Sequence, residues 1–232
     1  CSPRLGERRQ FVRLSDEQGA ERHYQLDWPF AHIPIAVLRD NTEAELAQRA
    51  LERQLLTDEL TGKANRRGFD YALDRAGHGG GGYGVFFLDM NGFKTVNDTH
   101  GHDAGDELLV VTAQRLAGLI GPQDTVARLG GDEFALLVRV PSIGEGQGFA
   151  RDIHARISSM LADSPYPVTC SMGALLISPD TPRDEPSLMH AVDQLMYAVK
   201  RAGKNAVEIG RGTTGRGRDT PVPSRLRVME AT

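Results

Sequence analysis

The chain has 232 residues, 40% of them hydrophobic, which is enough for one well-buried core and a small additional segment. Its formal net charge of −4 and sequence pI of about 6.0 exclude a surface that coats nucleic acid, so a phosphate-rich ligand has to be bound locally. The two cysteines, Cys1 and Cys170, lack metal-binding spacing and favour a reducing compartment, with the cytoplasm as the default. No apolar run approaches the roughly 20 residues of a membrane helix, so we expect no direct membrane contact.

Short apolar and polar runs alternate near the start of the chain, which predicts two or three strands between Arg9 and Leu38. So few strands do not form an independent core. Residues 35–43 (IAVLRDNTE) are similar to the last strand and exit of a PAS sensor domain, so we interpret residues 1–40 as the C-terminal end of such a domain. Because the chain begins with Cys1 rather than Met, we favour a fragment of a longer protein over a lipid-anchored mature start.

A signalling linker helix is expected over residues 41–57, because residues 44–56 contain no glycine or proline and Asn41 offers a cap. Its apolar residues fall on one stripe with heptad-like spacing: Ala44, Ala47, Leu51 and Leu55. Two turns of this pattern are short for a coiled coil. The stripe therefore fits a dimerising helix and a helix packed on its own domain equally well.

The main domain is expected to begin at Asp58, where the run DELTGKANRR follows the linker helix. Gly62 interrupts that helix, and Asn65 is a good N-cap for a helix over residues 66–75. Strands and helices then alternate around one hairpin. The expected elements are strand 83–88, helix 104–119, strands 124–129 and 134–140, helix 148–162, strand 168–178, helix 185–202 and strand 206–210.

This order predicts an α+β fold with a βαββαβ core, in which an antiparallel sheet carries helices on one face. Residues 58–210 would form this domain. Residues 211–232 are rich in Gly, Arg, Pro and Thr, and we predict a disordered tail there.

Two adjacent carboxylates, Asp132 and Glu133, follow a glycine pair between two apolar runs, which predicts a hairpin turn that carries acids. Acids held together at a sheet edge repel each other unless a cation or several donors neutralise them. Asp89 ends the apolar run YGVFFL and therefore emerges where a buried strand meets solvent. An ordinary polar turn and an ordinary loop carboxylate explain each motif when it is taken alone.

Residues 130–134 (GGDEF), with DMNGFKTVND at 89–98 and DELTGKANRR at 58–67, resemble the signature of the GGDEF family, the diguanylate cyclases. The resemblance implies the palm-like, ferredoxin-like fold of nucleotidyl cyclases. It also implies that a homodimer condenses two GTP to cyclic di-GMP and two pyrophosphates, with Mg²⁺, or Mn²⁺, as the cofactor. The alternative is a catalytically inactive GTP-binding or cyclic di-GMP signalling module with the same fold.

By this resemblance, Asp89, Asp132 and the Met90 carbonyl would hold the metals. Glu133 would either be a further metal ligand or accept the proton of the attacking hydroxyl, so Asp132 and Glu133 are the expected catalytic residues. Hard oxygen ligands of this kind suit magnesium. Adjacent residues of a regular strand point to opposite faces, so either the turn brings both acids inward or one of them does less.

Asn97 and Asp106 match the positions at which the family recognises guanine. A carboxylate can accept hydrogen bonds from N1–H and the 2-amino group of guanine, and adenine lacks both of these donors. An acid near a helix start is also favourable without a ligand. Phe93, Lys94 and the loop after them would surround the phosphates with backbone N–H groups.

Lys200 and Lys204 match the basic residues with which the family holds the β and γ phosphates. They would share a helix face if the helix continued that far. Basic residues in a last turn before a glycine, here Gly203, are favourable in any case. Lys204 replaces the more usual arginine and so keeps the charge without the planar fork.

Two departures from the family pattern stand out. Many members bind their product through an Arg-x-x-Asp motif, but here Gly121 stands in place of the arginine and only Asp124 remains, so we expect the inhibitory site to be lost. Asn91 and Gly92 stand where many relatives have an acid and an aromatic residue.

Overall fold

The structure is a computed structural model that describes residues 8–15, 21–28, 37–78, 81–179 and 185–212. The chain divides into two compact units, Cys1–Leu55 and Leu56–Thr232. In the parts described, no helix is both long enough and apolar enough to cross a membrane. The predicted disordered tail, residues 211–232, lies outside the described residues except for residues 211 and 212. The first of these, Arg211, belongs to the last strand.

The N-terminal unit contains an antiparallel three-stranded sheet formed by β1 (Arg8–Ser15), β2 (Glu21–Trp28) and β3 (Val37–Asp40), in that order. Helix α1 follows over Thr42–Leu56. Its first turn is capped by Asp40, whose carboxylate accepts a hydrogen bond from the Thr42 N–H at 2.9 Å. Three strands and one helix agree with the prediction, whereas the interpretation as the end of a PAS domain stays a prediction.

The C-terminal unit is an α+β domain built on five strands. Its elements are α2 (Arg66–His78), β4 (Tyr83–Asn91), α3 (Phe93–His100), α4 (His102–Leu119), β5 (Thr125–Gly130), β6 (Glu133–Arg139), α5 (Ile143–Ala162), β7 (Thr169–Ile177), α6 (Glu185–Arg201) and β8 (Val207–Arg211). The sheet order is β5-β6-β4-β7-β8. All neighbouring strands are antiparallel except β7 and β8, which are parallel.

Helices cover both faces of this sheet. On the central strand β4, Phe86 and Leu88 pack into one cluster with α4 and α5, whereas Val85 and Phe87 pack into a second cluster with α2 and α6. The prediction of helices on one face was therefore wrong. The continuous apolar run of β4 is typical of a strand that is buried on both sides.

The largest differences from the predicted helices are at α5 and α3. Helix α5 begins at Ile143 rather than at residue 148, because the Ser142 hydroxyl accepts a hydrogen bond from the Glu145 N–H at 3.2 Å and caps the helix. Residues 93–100, expected to be a loop, form helix α3 between Gly92 and Gly101, which have φ values of 88° and 87°.

Candidate active site

Asp89 and the acidic hairpin with Asp132 and Glu133 lie at the same end of the central strands β4 and β6. Asp89 near the end of β4 is the cross-strand partner of Glu133 at the start of β6. The Met90 N–H donates a hydrogen bond to the Asp132 carbonyl at 3.3 Å, which fixes the turn against the end of β4. Gly131 has a φ of 54°, a left-handed conformation that favours glycine. The hairpin prediction is confirmed.

The turn brings both acids to the same edge of the sheet. Cross-strand partners point to the same face, so Asp89 and Glu133 share the face that α2 and α6 cover. Asp132 lies in the turn before β6 begins, so the alternation of side chains along a strand does not fix the direction of its side chain. Lys200 on α6 donates a hydrogen bond to Asp89 Oδ2 at 2.5 Å.

The electrostatics of this cluster favour a cation. Burial raises the pKa of Asp132 above its ordinary value, and the negative charge of Asp89 raises it further, although Lys200 and Arg128 act in the opposite direction. Among the described residues, no three His, Cys, Asp or Glu side chains are placed together to hold a metal. Magnesium commonly takes one or two carboxylates and completes its shell with water and phosphates, so these acids fit it.

A cavity of about 340 Å³ adjoins the acids on the face covered by α2 and α6. Besides Asp89 and Glu133, its lining includes Arg66, Phe87, Leu129, Met189, Asp193 and Met196. It offers space for ligand atoms next to the carboxylates.

The predicted guanine-binding residues lie where α3 and α4 meet. Asn97 is on α3, and Asp106 is exposed near the start of α4. Asn97 Oδ1 is buried and has no hydrogen-bond partner in the described part of the chain. A Cβ atom at Gly105 would lie 1.9 Å from this oxygen. An unpaired buried acceptor is unfavourable, and this oxygen packs against Gly105, so the Asn97 side chain would have to turn outward to meet a ligand.

The predicted phosphate loop is instead the first turn of α3. The Phe93 side chain is buried in the core, so this residue can offer a phosphate only its backbone N–H. The Lys94 side chain is exposed. The first N–H groups of a helix have no partner within the helix, and its N-terminus attracts anions. The expected backbone donors are therefore present, but in a helix rather than a loop.

Lys200 and Lys204 do not share a helix face. Helix α6 ends at Arg201, and Lys204 follows in a left-handed conformation with a φ of 64°. The Lys204 N–H donates to the Val199 carbonyl at 3.0 Å, and the side chain is exposed. Lys200 therefore contacts the site from the last turn of α6, whereas Lys204 lies beyond the end of that helix.

Asp124, the remnant of the inhibitory motif, stabilises a turn in this structure. Its carboxylate accepts hydrogen bonds from the Gly121 N–H at 2.8 Å and from the Arg139 N–H at 2.9 Å. These contacts occupy both carboxylate oxygens with the protein's own backbone.

Sequence reasoning missed Arg128, which joins the start of the domain to the acidic turn. Its Nη1 lies 3.3 Å from both carboxylate oxygens of Asp58, and its Nε donates to the Gly131 carbonyl at 2.9 Å. Burial acts to raise the pKa of Asp58, but hydrogen bonds from Thr61 and the guanidinium outweigh it, so that pKa lies below its ordinary value. The signal available in the sequence was that Asp58 and Arg128 carry opposite charges.

The five-stranded sheet, with acids at the end of its central strand and in the adjacent hairpin, is consistent with the palm-like fold of nucleotidyl cyclases. The chain belongs to the GGDEF family, since the family described as "Diguanylate cyclase, GGDEF domain" matches residues 55–206.

Known relatives and solved structures agree with this assignment. The chain is 35% identical over 169 residues to the bifunctional diguanylate cyclase/cyclic di-GMP phosphodiesterase MucR of Pseudomonas aeruginosa, covering 71% of this chain and 25% of that protein. This chain thus spans about a quarter of that relative's length. A microbial GGDEF domain described for its interaction with cyclic di-GMP is 32% identical, with a TM-score of 0.61 over 68% of this chain and 99% of its own. The coiled coil and GGDEF domain of DgcB from Caulobacter crescentus, solved with cyclic di-GMP, is 29% identical, with a TM-score of 0.59 over 72% of this chain and 93% of its own.

Proposed function

We propose that this chain is an active diguanylate cyclase that condenses two GTP to cyclic di-GMP with release of two pyrophosphates. The observation that carries the proposal is that Asp89 lies close enough to Asp132 to raise the pKa of Asp132, with Glu133 as the cross-strand partner of Asp89 and Lys200 hydrogen-bonded to Asp89. Keeping Asp89 and Asp132 close together is unfavourable for folding, and a cation bound with a triphosphate would relieve that repulsion.

Asp89, Asp132 and the Met90 carbonyl would hold Mg²⁺, or Mn²⁺. Bound there, the metal would supply positive charge to the triphosphate and make a hydroxyl more acidic. Glu133 shares the face of Asp89 and is exposed, so it would accept the proton of the attacking hydroxyl or add a metal ligand.

The substrate would bind across two regions of the domain. Asp106 would accept hydrogen bonds from guanine, and the Asn97 amide would join it after turning outward from Gly105. A wrong base would leave these groups unpaired, which is a strong source of selectivity. The N-terminus of α3, with Lys94, and the two lysines at the end of α6 and after it would attract the phosphates.

The reaction needs two subunits. In each condensation, the 3′ oxygen of one GTP forms a bond to the α phosphorus of the other, and the bond from that phosphorus to pyrophosphate breaks. A single subunit holds one GTP and has no second nucleotide to supply the hydroxyl. A two-fold homodimer makes the two bond-forming steps equivalent.

The test is to incubate the purified chain with Mg²⁺ and either GTP or ATP, and to separate the products by chromatography. We expect cyclic di-GMP from GTP, no cyclic product from ATP, and a specific activity that rises with protein concentration. Asp132→Ala should remove turnover and leave the circular dichroism spectrum unchanged. GTP binding without turnover at high protein concentration would instead support the inactive signalling module.

A further inference from the structure

Ser171 on β7 is a fully buried polar residue next to the acidic edge of the sheet, 0% exposed. Its hydroxyl donates a hydrogen bond to Asn91 Oδ1 at 3.2 Å. The same Oγ accepts a hydrogen bond from the backbone N–H of Asn205 at 3.2 Å. Ser171 therefore connects β4, two residues beyond Asp89, with the segment that follows α6.

That segment has an unfavourable backbone conformation. Three consecutive residues have positive φ values: 118° at Gly203, 64° at Lys204 and 47° at Asn205. Glycine adopts such angles freely and asparagine tolerates them, but lysine disfavours them because its Cβ approaches the backbone. Surrounding contacts have to hold Lys204 in this conformation.

The contacts on the two sides of Lys204 are visible in the structure. The Lys204 N–H donates to the Val199 carbonyl at 3.0 Å, and the Met172 N–H donates to the Ala206 carbonyl at 2.9 Å. Between these two backbone bonds, the Asn205 N–H is held by the Ser171 hydroxyl. A serine hydroxyl has one proton and two acceptor positions, so it can donate to Asn91 and accept from Asn205 together.

Asn91 orients the Ser171 hydroxyl. The Asn91 Nδ2 group donates to Thr169 Oγ1 at 3.1 Å and is 3.4 Å from the Thr169 carbonyl. Because a carbonyl oxygen only accepts hydrogen bonds, the amide nitrogen has to face Thr169. The same Nδ2 group also donates to Ser171 Oγ at 2.9 Å, while Asn91 Oδ1 accepts the Ser171 proton. Asn91 thus contacts Ser171 through both atoms of its amide, and the second acceptor position of the serine takes the Asn205 N–H.

We propose that Ser171, oriented by Asn91, is a positioning residue that holds Lys204 in its left-handed conformation and thereby sets how tightly the site binds the β and γ phosphates of GTP. This inference rests on the proposed function, in which Lys204 contacts those phosphates. It assigns a role to two residues that would not themselves touch the substrate.

The test is a double-mutant cycle on ligand binding. The probe is a GTP analogue with a methylene group between the α and β phosphorus atoms, titrated with Mg²⁺ into the full chain by calorimetry. We expect Ser171→Ala and Lys204→Ala each to weaken binding about tenfold, the equivalent of one charge-assisted hydrogen bond. The double variant should be no weaker than Lys204→Ala, whereas Ser171→Ala should keep its full effect in a Lys200→Ala background.

GMP separates positioning from a general structural defect, because it has no β or γ phosphate. Ser171→Ala should leave GMP affinity unchanged, and in steady-state assays it should raise KM for GTP more than it lowers kcat. Equal weakening of GMP and of the GTP analogue, or additive losses in the double variant, would overturn the proposal.

The matched control is Ser164→Ala, which removes a serine hydroxyl that contacts the Leu161 and Tyr166 carbonyls at the end of α5. Hydrogen exchange of the Asn205 amide should accelerate in Ser171→Ala and stay unchanged in Ser164→Ala. An unchanged Asn205 exchange rate in Ser171→Ala would reject the inference without reference to any nucleotide. If Ser171→Ala does not fold, Asn91→Ala tests the same contact, with an expected loss of about threefold for one neutral hydrogen bond.

The two proposals can fail separately. A wild-type chain that binds the GTP analogue but forms no cyclic di-GMP would contradict the proposed function, and the binding cycle would still decide the role of Ser171. A wild-type chain that binds no GTP analogue would overturn both.

Discussion

At the scale of single residues, the surroundings of Asp132 destabilise its ionised form. Burial and the neighbouring Asp89 both raise its pKa, so the ionised form is destabilised in the folded chain. At neutral pH the group is nevertheless ionised in the unfolded chain, where neither effect acts. The residue that we assign to catalysis therefore lowers the stability of the fold when no metal is bound.

Asp132→Asn should consequently abolish turnover and raise the melting temperature by about 1 to 2 °C, measured by thermal unfolding with a chelator present. The amide has nearly the same shape and no charge. Asp163→Asn, at an exposed acid after α5, is the control and should leave the melting temperature unchanged. A lower melting temperature for Asp132→Asn would contradict this account of the turn.

His154 gives a second prediction at this scale. Burial lowers the pKa of His154 below its ordinary value, although the hydrogen bond from its Nε2 to the Cys170 carbonyl at 3.0 Å acts in the opposite direction. Above a pH of about 6.5 the folded and unfolded chains are both neutral at this residue. Below that pH the unfolded chain binds the proton first, so the free energy of unfolding falls until the folded chain is also protonated.

His154→Gln keeps an N–H donor and removes the titration. Its free energy of unfolding should therefore fall less between pH 7.5 and pH 5.5 than that of the wild type, measured by urea unfolding at each pH. Equal slopes for His154→Gln and the wild type would show that burial does not control this group.

The thiol of Cys170 does not add chemistry to the site. Burial raises the pKa of Cys170 to about 12, so the residue stays a neutral thiol at physiological pH. This agrees with a mechanism that uses carboxylates and lysines only.

At the scale of elements, the corner between α3 and α4 depends on a glycine. A Cβ atom at Gly105 would lie 1.9 Å from Asn97 Oδ1 and 3.1 Å from the Phe93 ring, so Asn97 would have to move. Gly118 is on the same helix and has no atom within 4 Å of such a Cβ, which makes it a matched control.

Gly105→Ala should raise KM for GTP at least tenfold and lower stability, because it displaces the residue that we assign to guanine binding. Gly118→Ala should leave KM unchanged and stabilise the chain by about 0.5 to 1 kcal/mol, as expected for alanine in a helix. Steady-state kinetics and urea unfolding measure both effects. A normal KM in Gly105→Ala would remove Asn97 from the guanine site.

Elements with strong local signals could be predicted from the sequence, and those that depend on distant contacts could not. The acidic hairpin follows from two apolar runs around a glycine pair, and α6 was predicted to within one residue at its end. Helix α3 was missed because its sequence, FKTVNDTH, is rich in residues with weak helix propensity. Its two ends are set by the flanking glycines, Gly92 and Gly101. The role of Ser171 depends on a contact with a residue 34 positions away, which no local pattern encodes.

At the scale of the whole molecule, activity should respond little to product. Asp124 is engaged by the Gly121 and Arg139 backbone, and Gly121 offers no guanidinium to a bound nucleotide. Initial rates should therefore stay constant when micromolar cyclic di-GMP is added. Gly121→Arg should gain measurable affinity for cyclic di-GMP by calorimetry, since arginine forms bidentate bonds with phosphates. Strong inhibition of the wild type would reveal a different product site.

Assembly should depend on α1, where three of the four leucines are exposed in the single chain: Leu46, Leu51 and Leu55, at 55%, 56% and 47%. Leu51→Glu would place a charge on the apolar stripe of α1 that also includes Leu55. We expect the variant to lose activity at low protein concentration and to recover it at high concentration, measured as specific activity over a dilution series. Gln48→Glu on the same helix is the control for added charge. Equal dilution curves for Leu51→Glu and the wild type would favour packing of this helix on its own domain.

The contact between Lys200 and Asp89 has a consequence for the order in which ligands arrive. In this structure the lysine ammonium already neutralises the carboxylate that would take a metal. A bare divalent ion would have to displace that ammonium and leave it without an anion, which is unfavourable in a partly buried site. A triphosphate gives the lysine a new anionic partner at the same moment. We therefore expect magnesium to enter the site together with its nucleotide.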